Sequence, residues 1–416
     1  MSASSVFRRY RGARAETLMI EAHSVQLKPG KDKRVRNGHP WVFSNEIASD
    51  VRAIPAGGVV DVFDHKGKFL GRGYGNPKSL ITVRILSKAR KEDIDHPSFF
   101  AMKLRQAAAL REALYPDRRS LRLVFSEGDG LPGLVVDRFG DTLSVQLNTL
   151  GMETRRDAIA AALQEVFSPD GAVLRNDAAV RTLEGLERGR EVWFGEPPEE
   201  VTIDEGGVAF TVPMLGGQKT GHFFDQYDNK RFAAGLCRGR SVLDVYANTG
   251  GWALHALAAG ATEAVVVDSD SANAERARRN AADNGFGDRL EALDTEGKST
   301  LQGFVREGRR FGCVVLDPPA FAKQRKAANS ALRGYQEINA LGCMLTEPGG
   351  FLFASTCSYH VEEAKFLEAV DRGAKQAGRK LTIVRRGEQA HDHPVLPAAP
   401  ETRYLKSYAF RVDMDV

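Results

Sequence analysis

Four cysteines in 416 residues, Cys237, Cys313, Cys343 and Cys357, form no C-x-x-C pair and no metal-ligand spacing. That excludes a disulfide framework and the common zinc modules, and it suits a reducing, cytoplasmic compartment. His391, Asp392 and His393 have no further ligands at metal spacing, so no metal is expected. No apolar run reaches the ~18 residues that a membrane span needs, and no signal-peptide core follows the basic start, so no membrane partner is expected. The Arg-rich, acid-poor residues 5–15 are too short for an organellar presequence. Internal repeats and low-complexity tracts are absent.

What is present is ordinary globular material: 42% hydrophobic and 27% charged residues, enough for two or three domains with real cores. Net charge is only +4, but its distribution is uneven. Residues 1–40 carry nine Lys and Arg against three acids, Glu16, Glu21 and Asp32. A front end of that kind suits a polyanion such as nucleic acid. It equally describes a solvated tail followed by an exposed loop.

Along the chain, residues 1–22 read as a disordered basic tail. Residues 23–95 are short strands broken by turns: Val59–Phe63, Phe69–Tyr74 and Leu80–Leu86, with turns at Ala56-Gly57-Gly58 and His65-Lys66-Gly67-Lys68. This predicts a small β-barrel or sandwich, in which Trp41 and Tyr74 among basic residues are compatible with RNA. Trp41 and Phe43 could instead be core. Residues 96–200 predict a central α+β domain: a helix over 96–118, strands at Leu121–Phe125, Leu134–Asp137 and Leu143–Leu147, a helix over 153–167 and a strand over 172–175.

Residues 201–416 alternate strand and helix, the mark of a doubly wound α/β sheet. Six strands are expected, at Ser241–Tyr246, Ala264–Asp268, Leu290–Leu293, Cys313–Asp317, Phe351–Ser355 and Thr382–Arg385. Ligands of such sheets bind beyond the carboxyl ends of the strands. The first strand runs into Asn248-Thr249-Gly250-Gly251 and then a helix, a turn that lets backbone approach a ligand closely. The dinucleotide fingerprint is absent from this strand, turn and helix, which argues against NAD or FAD. Asp244 ends the strand instead. A carboxylate there repels a pyrophosphate and attracts a cation or an ammonium. S-adenosyl-L-methionine offers both. Asp268 closes the next strand, where it can accept from ribose hydroxyls, and Asp294 follows the third, within reach of an adenine amine. Asp270 and Ser271 read as helix caps.

Two further strand ends carry chemistry. Asp317 is followed by Pro318, Pro319, Ala320 and Phe321, and Cys357 stands between Thr356 and Ser358. Burial as a small apolar residue is the usual fate of cysteine, and it fits Cys313 and Cys343. Cys357 differs by position, and a thiolate near positive charge is a strong nucleophile. Asp-Pro-Pro alone also suits methylation of an exocyclic amine, but such enzymes usually place an aromatic directly after the prolines, and here Ala320 intervenes before Phe321. Paired with a thiol, it suits addition to C6 of a pyrimidine, which makes C5 the methyl acceptor.

Several segments together resemble the RlmI-type ribosomal RNA cytosine-5 methyltransferases. They are Gly217–Asn229, Asn248–Gly251, Asp317–Phe321, Thr356–Ser358, Ser126–Gly133, His39–Ser44, Asp392-His393-Pro394 and Tyr404-Leu405-Lys406. The resemblance runs in order over residues 23–412. It implies a PUA domain at the front, a central α+β domain and a class I methyltransferase domain of Rossmann-like fold. It also implies a 23S ribosomal RNA substrate, with Cys357 as nucleophile and Asp317 contacting or protonating the ring. Asp244, Asn248, Thr249, Gly250, Gly251, Asp268, Asp294 and Asp317 would line the cofactor site; Pro318, Pro319, Phe321 and Lys219 would face the substrate. A second cysteine after the motif prolines, found in many RNA cytosine-5 enzymes, is replaced here by Ala320 and Phe321. The base that removes the C5 proton is therefore unassigned. A homodimer is compatible with these features. The competing readings are an amine methyltransferase using Asp317-Pro318-Pro319 and a non-catalytic RNA-binding assembly factor.

Overall fold

The computed structural model describes residues 22–216, 221–322, 324 and 327–415. Lys219 and all but the last residue of the expected tail lie outside them. The chain forms two compact units that interleave in sequence. One contains the chain up to Val201 together with Val212–His222 and Asp392–Thr402. The other takes Thr202–Thr211, Phe223–His391 and the chain from Arg403 on.

The first unit begins with a five-stranded sheet of β1 (His23–Gln26), β2 (Trp41–Phe43), β3 (Val59–Phe63), β4 (Phe69–Gly75) and β5 (Ile81–Ser87), in the order β1-β3-β4-β5-β2. The turn between β3 and β4 is set by Asp64, whose Oδ1 accepts the amides of Lys66 and Lys68, both at 2.8 Å, and by Gly67 at φ +81°. Val25, Val42, Val60, Val62, Val83 and Ile85 fill the interior. Trp41 is half-buried, its indole N–H on Glu127 Oε1 at 2.9 Å, and Arg34 lies over Phe43.

A second sheet joins β6 (Leu121–Phe125), β7 (Leu134–Phe139), β8 (Thr142–Leu147), β9 (Gly171–Asn176) and β10 (Gly189–Gly195) in the order β10-β9-β8-β7-β6. Helices Pro97–Leu114 and Arg156–Phe167 cover it. Val59, Tyr74 and Leu86 of the first sheet share one hydrophobic cluster with Leu134, Leu143 and Leu147 of the second. Glu184, buried beyond β9, accepts from Ser79 Oγ at 2.8 Å and from Asn76 Nδ2 and Arg84 Nη2 at 2.9 Å. The returning Asp392 is fully buried and accepts the His393 ring at 2.7 Å and the Arg122 amide at 3.1 Å.

A hairpin, β11 (Glu200–Asp204) and β12 (Ala209–Pro213), precedes the sheet of the second unit. That sheet has seven strands: β13 (Ser241–Val245), β14 (Glu263–Asp268), β15 (Leu290–Asp294), β16 (Phe311–Leu316), β17 (Thr346–Thr356), β18 (Arg379–Gly387) and β19 (Lys406–Met414). Their order is β15-β14-β13-β16-β17-β19-β18, and β19 runs antiparallel to both its neighbours. Sequence reasoning expects six strands here and misses β19. Its Tyr408 and Phe410 alternate with polar and small residues, so it lacks the continuous apolar run that marks the buried parallel strands. Helices on both faces complete a doubly wound α/β fold.

Candidate active site

The strand order reverses between β13 and β16, which opens a crevice at their carboxyl ends. Into it β13 delivers Asp244, fully buried. Its Oδ2 accepts the Ala253 amide at 3.1 Å from the amino end of helix Gly251–Ala258, while Oδ1 finds no donor among the described residues. Burial pushes this carboxyl up to about 8, against the pull of the Ala253 amide, and the nearby Asp317 and Asp268 charges push the same way. A buried carboxyl oxygen with no donor keeps its accepting capacity for a cationic partner.

The turn after β13 is held in an uncommon backbone conformation. Tyr246 and Asn248 sit at φ +66° and +50°, and Gly250 at +81°. Each non-glycine residue there costs ~1–2 kcal/mol and needs fixing from outside. The fixing is visible. Tyr246 and Ala247 donate to the Val267 carbonyl at 2.9 and 3.1 Å, and the Asn248 amide donates to Asp268 Oδ2 at 2.8 Å. Asp268 also accepts from the Asp270 amide and Asn273 Nδ2. Its carboxylate therefore braces the glycine turn as well as standing at the strand end. Asp294 pairs with Asp268 across the ladder and is exposed. Asp270 caps its helix through the Ala272 amide. Gly251 leaves space for Lys230, whose Nζ lies 3.5 Å from where a β-carbon would stand. Lys230 and His255 both meet the buried Glu205.

One strand over, Asp317 follows β16. Its Oδ2 accepts from Gln226 Nε2 at 3.0 Å and Trp252 Nε1 at 3.2 Å. Pro318 is buried and Pro319 exposed. Phe321 is half-buried and stacks on Tyr335 with ring centres 4.7 Å apart, so its ring is engaged with the protein.

Cys357 follows β17, the strand parallel to β16 with Leu316 opposite Ala354. It is half-buried, whereas Cys237, Cys313 and Cys343 are buried. Thr356 and Ser358 are fully buried and grip the Tyr335 hydroxyl at 2.8 and 3.0 Å. Ser358 Oγ also accepts the Ala322 amide at 3.2 Å, which ties the Asp-Pro-Pro loop to the cysteine loop. Lys406, opposite Thr356 on β19, is buried and donates to the Ser358 carbonyl at 3.3 Å. Burial holds its ammonium below the ordinary lysine range, with Arg403 acting in the same direction and Glu363 and Cys357 against it.

The crevice thus brings Asp244, the 248–251 turn, Asp268, Asp317 and Cys357 to one edge of one sheet. Sequence reasoning missed Gln226, Trp252, Tyr335 and Lys406 as parts of it. Signals for three of them were at hand: Gln226 and Lys406 lie in the segments that carry the resemblance, and Trp252 directly follows Gly251.

Residues 177–411 match the S-adenosylmethionine-dependent methyltransferase family model, and residues 25–88 match a PUA-like domain. The chain is 38% identical to ribosomal RNA large subunit methyltransferase I of Shewanella denitrificans over 393 residues, 93% of this chain and 99% of the relative. The protein of the same name from Photobacterium profundum is 37% identical over 93% of this chain and 98% of its own length. Among solved structures, SMU.776 complexed with SAH superposes with a TM-score of 0.81 at 19% identity, covering 94% of this chain and all of the other. That likeness concerns the fold.

Proposed function

This chain belongs to the S-adenosylmethionine-dependent methyltransferase family, and from that premise we propose that it methylates C5 of a cytosine in large-subunit (23S) ribosomal RNA through a transient bond from Cys357 to C6. The observation that supports the reading is the half-buried Cys357 just past the carboxyl end of β17, beside β16, which Asp317 follows.

Bound S-adenosyl-L-methionine supplies an electrophilic methyl group. Asp244, with its donor-less oxygen, would take the cofactor's ammonium. Asn248, Thr249, Gly250 and Gly251 would let backbone close on it, and Asp268 and Asp294 would meet its ribose and adenine. Lys406 would favour the thiolate of Cys357. The Cys357 sulfur adds to C6 and breaks the C5–C6 double bond. The freed electron pair at C5 would take the methyl carbon, whose bond to the sulfonium sulfur breaks with its electron pair staying on that sulfur. Loss of the C5 proton to water re-forms the C5–C6 double bond as Cys357 leaves as thiolate. Asp317 would accept hydrogen bonds from the cytosine edge, with Pro318 and Pro319 shaping the loop beside it. The target base must leave its stack to reach this crevice, at a few kcal/mol. Residues 23–95 would act as the PUA-like RNA-binding domain, meeting phosphates and the shape of the RNA.

Cys357→Ala should abolish methyl transfer to unmodified 23S transcript while cofactor affinity stays within a few-fold. Retained turnover, or mass spectrometry placing the methyl group on the exocyclic nitrogen, would overturn the proposal.

A further inference from the structure

Asp317 is held by a chain of hydrogen bonds whose polarity allows one direction only. The Glu388 carbonyl can only accept, and it takes Asn229 Nδ2 at 3.0 Å. The same Asn229 nitrogen donates to Gln226 Oε1 at 2.7 Å. That fixes the Gln226 amide so that its Nε2 faces Asp317 Oδ2, 3.0 Å away. The second contact on Oδ2, at 3.2 Å, is the Trp252 indole N–H, which cannot accept. Both of these groups are obliged to donate. Gln226 and Asn229 are each 4% exposed, so water does not readily replace either link.

We propose that Gln226, oriented by Asn229, is a positioning residue that keeps Asp317 an anion in the resting enzyme and so makes the site select an aminopyrimidine. Two donors on one oxygen stabilise the ionised form. Set against the C4 substituent, an anionic carboxylate accepts from the exocyclic amine of cytosine, and from the ring nitrogen once addition of Cys357 to C6 has made that nitrogen basic enough to take a proton. It repels the C4 carbonyl of uracil. Asp317 then works as an acceptor, and the ring proton comes from solvent. Asp244 on β13 also interacts with Asp317, with Lys230 behind it, but burial keeps it mostly protonated at pH 7, and Cys357 follows the neighbouring strand.

The inference rests on the proposed cytosine chemistry, and the variants separate the two. The assay is single-turnover methyl transfer to unmodified 23S transcript between pH 5.5 and 9 with cofactor saturating at every pH, and cofactor affinity is measured by calorimetry. Gln226→Glu sets two carboxyl groups about 3 Å apart that must share a proton, so its rate should gain an acid limb about one pH unit or more above any in the native chain. Gln226→Met should lose about 10–100-fold in rate at unchanged cofactor affinity. Gly387→Ala would place a methyl group 2.2 Å from Asn229 Oδ1, displacing that side chain, and should reproduce the Gln226→Met loss. Native pH dependence in Gln226→Glu, or native rate in Gln226→Met and Gly387→Ala, overturns the inference while an inactive Asp317→Asn leaves the cytosine reading standing. Full turnover in Asp317→Asn overturns both.

Discussion

Asp244→Asn tests the cofactor pocket most directly. In the native chain the carboxyl is pushed up to about 8 by burial, so about nine-tenths of it is protonated at pH 7. A cationic group bound beside it favours the ionised form, and the proton must leave. Cofactor affinity should therefore rise about tenfold from pH 6 to pH 7, roughly 1.4 kcal/mol, with ~0.9 proton released per cofactor at pH 7. The sign for stability is the reverse of an ordinary salt-bridged aspartate. The folded chain binds this proton more tightly than the unfolded chain, whose value is near 3.8. Stability from this group is complete at low pH and is lost as pH climbs toward 8, on the order of 5 kcal/mol in all. Asp244→Asn should erase both slopes: level, weaker cofactor binding, and a cofactor-free protein more heat-stable than the native one at pH 8. Calorimetry in two buffers of different ionisation enthalpy counts the protons. Equal native affinity at pH 6 and 7, with no proton released, would refute the reasoning.

Glu184→Ala strands the buried Arg84 guanidinium and should cost ~3–5 kcal/mol in denaturant unfolding of the first unit, without changing cofactor affinity. Lys406→Met removes the cation beside the cysteine loop and should raise by about one unit the pH at which Cys357 is half-maximally alkylated. Because burial depresses the Lys406 ammonium, the same change should be neutral or stabilising at pH 7, where the native chain carries that cost.

Strand ends were legible because a buried parallel strand announces itself as an apolar run that stops abruptly, and Asp244, Asp268, Asp317 and Cys357 stand at those stops. The glycine turn was legible for the same local reason. Other features depend on contacts far apart in sequence. Gln226 and Trp252 reach Asp317 across 91 and 65 residues, and no periodicity encodes that meeting. Asp268 spends an oxygen on the Asn248 amide because Asn248 adopts a left-handed conformation, which composition does not reveal. The stacking of Phe321 on Tyr335 is another such meeting, which only the fold brings about.

The interleaving of the two units has a practical outcome for anyone dissecting the molecule. Because Asp392–Thr402 completes the first unit after nearly all of the second has been laid down, no single cut separates the two into intact polypeptides. An amino-terminal fragment ending near residue 201 would lack the carboxylate that the Arg122 amide donates to, and a ribosome could not finish the first unit until it had translated most of the second.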